Sequence, residues 1–502
     1  MIENCPRTGI NLVPDTVNTS PDYFCTWQVQ LYRCNNAGPQ GQRDCMTEAD
    51  IFGSGDEAAD RRLGRGWASH LYKDARRDLI FLMDDCWDVP LGERISHEGH
   101  YGSQLLAPDK FPSFAGEGVE NRDAMKKLSD KIKSLGWRGL GGWICIERSP
   151  LAPAESADAY WAERLKWADY AGWLYWKIDW GADCRVLEER QRIIELRRKL
   201  APNLIAEQAM LPELIPYADS FRTYDVFTLL AIPITLEKLA VDLAYDAAPG
   251  YLGYVNCMDE VYTAAALGCA IDVTRHDMRG PLPNGQPDPS FPADIHRNLK
   301  TKTDEVTRTV RWHRIAPAFS VNGSETFIDP VKMTDCWDVV DQPREIEAWW
   351  KYRKGDHIER SGPARISRSL PPAVAEPDAE GLMPYLVSAL HPCGVASVAT
   401  LARTLGRRFF TPLCRVTQNV KSASMIGVFG YYGELRLETT AAHANSRILM
   451  QDLLDGEALD VTALCEAGEG YVVIPGALIA EAGTMGNHPG DTSEPGLIVK
   501  ID

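Results

Sequence analysis

The sequence predicts a (β/α)8 barrel followed by a C-terminal antiparallel β-sandwich. Three observations carry that reading. Eight short apolar runs alternate with longer amphipathic segments over about the first 300 residues. Two of those runs stop abruptly on carboxylates. Beyond about residue 380 the helical periodicity gives way to short strand-like runs separated by Gly and Asp turns.

The eight strands are expected near Tyr23–Gln30, Leu79–Asp84, Arg138–Cys145, Leu174–Asp179, Leu204–Glu207, Ser220–Thr223, Gly253–Asn256 and Ala270–Thr274. Met125, Leu128, Ile132 and Leu135 fall at helical spacing, with Gly136 as a C-terminal stop. Ile193, Leu196 and Leu200 repeat that spacing before Pro202, and Ile295, Leu299, Val306 and Val310 do so again. A doubly wound open sheet would alternate similarly. No GxGxxG or GxxxxGK[ST] follows the first strand, which disfavours a nucleotide-binding sheet. The expected division is residues 1–320 for the barrel, 321–380 for a proline-punctuated connector and 381–502 for the sandwich, with strands at Tyr385–Leu390, Val395–Thr400, Ser424–Phe429, Ile448–Met450 and Tyr471–Ile474. The pentapeptide Asp85–Val89 recurs as Asp335–Val339 with unrelated flanks and no strand-like run before it. We read the echo as coincidence and place no catalytic residue there.

Composition narrows the function. Hydrophobic residues make up 45% and charged residues 25% of the 502, ordinary for a globular chain. The net charge of −17 argues against nucleic acid and anionic membranes, which attract basic faces. No run of 18 apolar residues is present, and the N-terminus lacks a basic start and an apolar core, so a cytoplasmic location is expected. The 13 cysteines are odd in number and scattered, unlike a disulfide framework. No CxxC pair or HExxH occurs, and no metal or other cofactor is expected. The 14 Trp and 18 Tyr can supply flat apolar walls with polar tips. The composition is compatible with a homo-oligomer.

The carboxylate-tipped runs are Leu79–Met83 before Asp84-Asp85-Cys86-Trp87, and Gly172–Trp176 before Lys177-Ile178-Asp179. Aspartate is depleted in strands, so two such endings need a reason. Neighbouring parallel strands would deliver these acids into one pocket.

These motifs, in this order, resemble glycoside hydrolase clan D, the retaining α-galactosidase group, and family 27 most closely. The landmarks are Trp27 after strand one, the paired Asp84-Asp85, Phe111-Pro112, Lys177-Ile178-Asp179, Arg222-Thr223-Tyr224-Asp225, Asn256–Asp259 and Asp277-Met278-Arg279. They cover roughly residues 10–320. Three features depart from the family. The Arg-to-Asp spacing is one residue shorter than in family 27, the strand-seven wording differs, and Trp143 stands where family 27 has Tyr, which is closer to family 36.

The resemblance implies a retaining exo-glycosidase acting on a small carbohydrate or glycoside. Such chemistry needs an ionised nucleophile and a protonated acid flanking the anomeric carbon. Asp179 is the expected nucleophile, with Lys177 two residues earlier on the same face favouring its charge. Asp225 is the expected general acid/base, and Tyr224 would exclude water around it. Arg222 is expected to contact the sugar or the nucleophile. Asp84 and Asp85 would read the O4 and O6 hydroxyls of a galacto-configured ring. Trp143, Trp27 and Trp180 are candidate stacking platforms. Glu207 would meet the 2-hydroxyl, which argues against a 2-acetamido sugar. His276, Asp272 and Asp277 could line the rim. The family also often has disulfides where Cys34 with Cys86 and Cys145 with Cys184 stand; in a cytoplasmic protein these are expected as free thiols. Other α-linked substrates remain as alternatives (an α-glucoside, a β-L-arabinopyranoside, an α-N-acetylgalactosaminide), as does a non-catalytic sugar-binding barrel.

Overall fold

A computed structural model describes residues 2–27, 29–30, 45–93, 96–224, 230–274, 303–338, 355–442, 446–491 and 493–502. Eight strands form a closed barrel in chain order, β1 Tyr23–Cys25, β2 Ile80–Met83, β3 Gly139–Ile144, β4 Tyr175–Ile178, β5 Ile205–Gln208, β6 Ser220–Arg222, β7 Tyr254–Met258 and β8 Ala270–Val273. Every neighbouring pair is parallel, and β8 closes on β1 with Tyr23 opposite Asp272. β1 is shorter than its apolar run: Trp27 already begins a helical turn.

Strand alternation divides the side chains cleanly. On β4, Trp176 and Ile178 face the helices and join the main core, while Tyr175 and Lys177 point into the barrel. On β2, Phe81 and Met83 face out while Ile80 and Leu82 face in. Glycines on β3 make room on both faces of the strand, Gly141 for Tyr175 inside the barrel and Gly142 for Trp173 outside it. A Cβ on Gly141 would stand 2.8 Å from the Tyr175 Cβ, and one on Gly142 would stand 2.4 Å from the Trp173 ring.

The intervening helices are locally encoded. Ala157–Ala171 is capped by Ser156, whose hydroxyl accepts from the Ala159 amide, and stops at Gly172 in the left-handed region (φ 63°). Leu187–Leu200 opens with Glu188 and Glu189 and closes with Arg197, Arg198 and Lys199, matching the helix dipole. The helical patterns read in the sequence appear as Asn121–Ser134, Leu187–Leu200 and Thr303–Ile315; Ile295 and Leu299 lie outside the described residues.

The C-terminal region is an eight-stranded and a four-stranded sheet sharing one apolar core, with Val398, Val428 and Met450 from the first and Val416, Leu437 and Val472 from the second. Two expectations need correction. The sheets are mixed rather than purely antiparallel: Arg365–Arg368 with Tyr385–Leu390, Ala396–Leu401 with Met425–Phe429, and Arg415–Asn419 with Glu434–Ala442 are parallel. The proline-rich stretch read as a connector also supplies strands. Thr326–Ile328, Arg365–Arg368 and Val374–Glu376 add to the two sheets, and the described prolines of the stretch fall between strands or at a strand end. The first four residues of the second pentapeptide copy, Asp335–Asp338, likewise lie in a strand, Lys332–Asp338, paired antiparallel with His357–Pro363, and Val339 lies outside the described residues. Its Asp335 accepts from Arg403 Nε at 2.5 Å and from the Thr404 amide at 2.8 Å. The aromatic patch at residues 346–350 lies outside the described residues.

The larger sheet packs its other face on the barrel, against Val261–Leu267, the helix between β7 and β8, and against Thr303–Ile315. Among the described residues no helix is long and apolar enough to cross a membrane.

Candidate active site

The C-terminal ends of the barrel strands gather a buried polar cluster. Barrel interiors are normally layered with branched aliphatics. Ile80, Leu82 and Ile205 obey that rule, but the layer at the mouth is ionic. Lys177 and Arg222 face four carboxylates, Asp84, Asp179, Glu207 and Asp272, and all six residues are nearly or fully buried.

Lys177 Nζ lies 2.7 Å from Asp84 Oδ2, which also accepts from the Cys25 thiol at 3.0 Å. Burial raises the Asp84 carboxyl, but the Lys177 charge and hydrogen bond outweigh it and hold Asp84 below the usual range. The reciprocal effect keeps Lys177 protonated: burial lowers it, and Asp84 more than restores it. The expected Lys177–Asp179 partnership on one face is thus replaced across the barrel by Lys177–Asp84.

Asp179 is held instead by Arg222, whose NH2 lies 3.1 Å from Oδ2, and by Trp143 Nε1 at 3.3 Å from the same oxygen. Arg190 NH2 fixes the backbone carbonyl of Asp179 at 2.7 Å. One carboxylate oxygen is anchored, and the other, Oδ1, accepts no hydrogen bond among the described residues.

Glu207 differs from its expectation. It is fully buried and occupied on both oxygens. Oε1 accepts from Tyr23 Oη at 3.0 Å and pairs with Arg222 Nε at 3.0 Å; Oε2 accepts from Tyr175 Oη at 2.7 Å and Asn256 Nδ2 at 3.0 Å. With both oxygens engaged by protein groups, Glu207 braces the cluster through Tyr23, Tyr175, Asn256 and Arg222. Burial pushes its carboxyl up to about 7 against the pull of Arg222, and Asp272 adds to the rise. Asp272 lies 3.9 Å from Arg222 NH1, with Oδ1 accepting from the Thr274 hydroxyl and Oδ2 without a partner. Burial raises it too, opposed by Lys177 and Arg222.

Asp85 sits at the mouth with Oδ1 accepting from the Cys86 thiol at 3.0 Å. Burial lifts it to about 7; the Cys86 bond opposes the rise and the charges of Asp84, Asp88 and Asp179 add to it. Trp143 and Tyr101 are ring neighbours at 5.7 Å, and Trp27 packs on the same group. Trp180 is half exposed, and its Nε1 donates to Tyr224 Oη at 2.5 Å. Asp225, His276 and Asp277 lie outside the described residues.

The structure therefore brings together Asp84, Lys177, Asp179, Glu207, Arg222 and Trp143, with Asp85 beside them. Sequence reasoning missed Tyr23, Tyr175 and Tyr101, and weighed Asp272 only as a rim residue. For Tyr175 a signal existed: it precedes Lys177 by two and Asp179 by four, on the same face of β4. Cys86, Cys145 and Cys184 are free thiols, whereas Cys45 is disulfide-bonded. Among the described residues no group of three or more His, Cys, Asp or Glu is arranged to hold a metal ion.

The architecture is that of a barrel with a polar pocket at its C-terminal mouth. No family profile and no curated protein matches the chain. Solved structures similar to it include a GH27 β-L-arabinopyranosidase from Geobacillus stearothermophilus, at 12% identity over 68% of this chain and 93% of that one, TM-score 0.34. Another is α-galactosidase I from Mortierella vinacea, at 17% identity over 68% and 94%, TM-score 0.33. A third is an α-fucosidase from Thermotoga maritima, at 11% identity over 97% of each chain, TM-score 0.36. At these TM-scores the likeness carries no argument about what the pocket does.

Proposed function

We propose that the chain is a retaining exo-glycoside hydrolase, with terminal α-galactosides as substrates and Asp179 as nucleophile. The observation that carries the reading is the Asp179 carboxylate: buried at the end of β4, anchored through Oδ2 by Arg222 and Trp143, with Oδ1 unpartnered among the described residues. Arg222 holds the charge in place, and burial strips it of water that would otherwise blunt attack.

In this reading Asp179 Oδ1 bonds to the anomeric carbon as the bond from that carbon to the leaving oxygen breaks. The leaving oxygen takes a proton from a carboxylic acid, for which Asp225 is our assignment from the sequence. Water then attacks the same carbon, gives its proton to that carboxylate, and releases Asp179. Net retention follows from two inversions. Lys177 and Asp84, locked together at 2.7 Å, offer a donor and an acceptor to vicinal hydroxyls; Asp85 adds a carboxyl that titrates near neutrality.

Following the anomeric proton by NMR during cleavage of a set of nitrophenyl α-glycosides tests substrate and stereochemistry together. The α-galactoside should be cleaved fastest, with the α-anomer of the sugar appearing first. First appearance of the β-anomer would exclude double displacement on that substrate. Galactose binding with no turnover of any glycoside would favour a sugar-binding barrel instead.

A further inference from the structure

The strand end that carries Asp179 is tied from behind by a side chain that the glycosidase reading does not use. Arg190, the fourth residue of the helix Leu187–Leu200, is fully buried. Its Nε donates to the Cys184 carbonyl at 2.6 Å, and NH2 donates to the Asp179 carbonyl at 2.7 Å. NH1 donates to Gln208 Oε1 at 2.7 Å and, more weakly, to the Ile178 carbonyl at 3.4 Å. One guanidinium thus joins the last residue of β4 to the residue after it, to the loop that follows and to the last residue of β5. We infer that Arg190 is a positioning residue for Asp179: it fixes the backbone that carries the carboxylate and supplies positive charge that keeps the carboxylate ionised.

Every acceptor on Arg190 is neutral, and among the described residues no carboxylate forms an ion pair with it. A buried charge without a counter-ion is expensive. A tie that served the backbone alone could be made at less cost by a neutral amide. Arg368 shows how such a charge is otherwise accommodated in this molecule. It too is held by carbonyls, but those of Leu267 and Gly268 stand at the C-terminal end of Val261–Leu267, where the helix dipole favours a cation. Arg190 lacks that compensation. It stands in the first turn of its own helix, the end that the dipole makes positive.

The charged group that acts most strongly on Arg190 is Asp179. Burial lowers the guanidinium to about 10; Asp179 and then Cys184 pull it back up, Arg222 opposes them, and Tyr224 adds to the rise. The two arginines therefore divide the work. Arg222 touches the Asp179 carboxylate, but it also serves Glu207 at 3.0 Å and Asp272 at 3.9 Å. Arg190 serves no other carboxylate, so its field falls on Asp179. Asp85, just beyond β2, pushes the other way, since two neighbouring acids resist ionising together. The backbone tie matters as much as the charge, because a nucleophile displaced by about 1 Å can lose on the order of 10²-fold in rate.

This inference rests on the glycosidase reading, and a titration that needs no substrate separates their failures. Aspartate labelled with an NMR-active carbon at Cγ gives a signal for Asp179, assigned as the one absent from Asp179→Asn. Arg190→Gln should move its titration midpoint up by about one unit, because a charge that favours the ionised form is gone. The same variant should turn over nitrophenyl α-galactoside about 100-fold more slowly. Arg190→Lys keeps the charge but not the planar fork, so the midpoint should stay within about 0.3 of the parent while turnover falls only about tenfold. Arg190→Met is the neutral variant to use if melting curves show that Arg190→Gln does not fold. A midpoint unmoved by the neutral variant, or moved equally by Arg190→Lys, overturns the inference, since a purely structural tie would behave that way. Turnover of the neutral variant within about twofold of the parent overturns it as well. If the parent cleaves no glycoside while the midpoint moves as expected, the glycosidase reading fails and the hold of Arg190 on Asp179 stands.

Discussion

Two regions of this molecule bury charges, and they do so on opposite terms. At the seam between barrel and sandwich, Arg308 meets Asp452 in a two-pronged pair, Nε to Oδ1 and NH2 to Oδ2, both at 2.8 Å and both side chains fully buried. The Leu454 and Gly486 amides complete Asp452, and Asn487 takes a further Arg308 hydrogen bond. Charge is balanced one to one, and every lone pair in view is used. At the barrel mouth two cations serve four carboxylates, and among the described residues Asp179 Oδ1 and Asp272 Oδ2 accept no hydrogen bond, Asp272 Oδ2 having only the long 3.9 Å contact with Arg222 NH1. A closed pair fits a structural role; an excess of buried acid is what the proposed sugar site would need. The contrast separates function from scaffold more sharply than burial alone, since both regions are equally dry.

The largest effect expected is at the open cluster. Asp179→Ala should lower turnover by at least about 10⁴-fold with little change in melting temperature, by analogy with the loss on removing a catalytic nucleophile. Retention of full activity would remove Asp179 from the chemistry. At the closed pair the roles reverse. Arg308→Ala should destabilise the fold by about 3–5 kcal/mol, because it strands Asp452 without its partner. Denaturant melts check this, and activity per folded molecule should hold.

A smaller effect concerns pH. The folded-state carboxyl of Glu207 titrates near 7, above the ordinary glutamate value of about 4.3. Between those values the folded protein holds a proton that the unfolded chain has released, so stability should fall as pH rises through that window. Below it the contribution is fully present; above about 7 the ionised carboxyl makes its full penalty felt. Glu207→Gln should flatten this slope, seen as melting temperature against pH. An unchanged slope would mean Arg222 neutralises Glu207 at every pH. Smallest of all should be the paired replacement Arg308→Met with Asp452→Leu. Exchanging both partners removes the two charges together and leaves neutral groups, the Leu454 and Gly486 amides and Asn487 Oδ1, without them, so the loss should be about 1–2 kcal/mol, less than for Arg308→Ala. The same exchange at Lys177 and Asp84 should spare the fold but cost sugar binding, read by calorimetry with galactose.

Much of this was legible in the sequence, for identifiable reasons. Each barrel strand is a short apolar run ending on polar residues, and a parallel strand buried on both faces has little choice but to look that way. The acids at the ends of β2 and β4 stand out because strands avoid them. What Glu207 does was not legible. Alternation gives its face, but its partners Tyr23 and Tyr175 come from β1 and β4, and only barrel closure brings them under it. The strands within residues 326–376 were hidden for a different reason: they are short and partly polar, and they pair with segments remote in the chain, so no local periodicity announces them.

The helix Val261–Leu267, between β7 and β8, has every one of its seven residues buried. An all-round apolar helix cannot face water, and here the barrel covers one side and the eight-stranded sheet the other. Excising residues 1–320 would therefore uncover an alanine-rich surface beside the strands that carry Asn256 and Asp272. The sandwich need not touch a sugar to matter to catalysis. It covers the helix of the barrel's seventh repeat, and the two should unfold as one cooperative unit, beyond the reach of modular exchange.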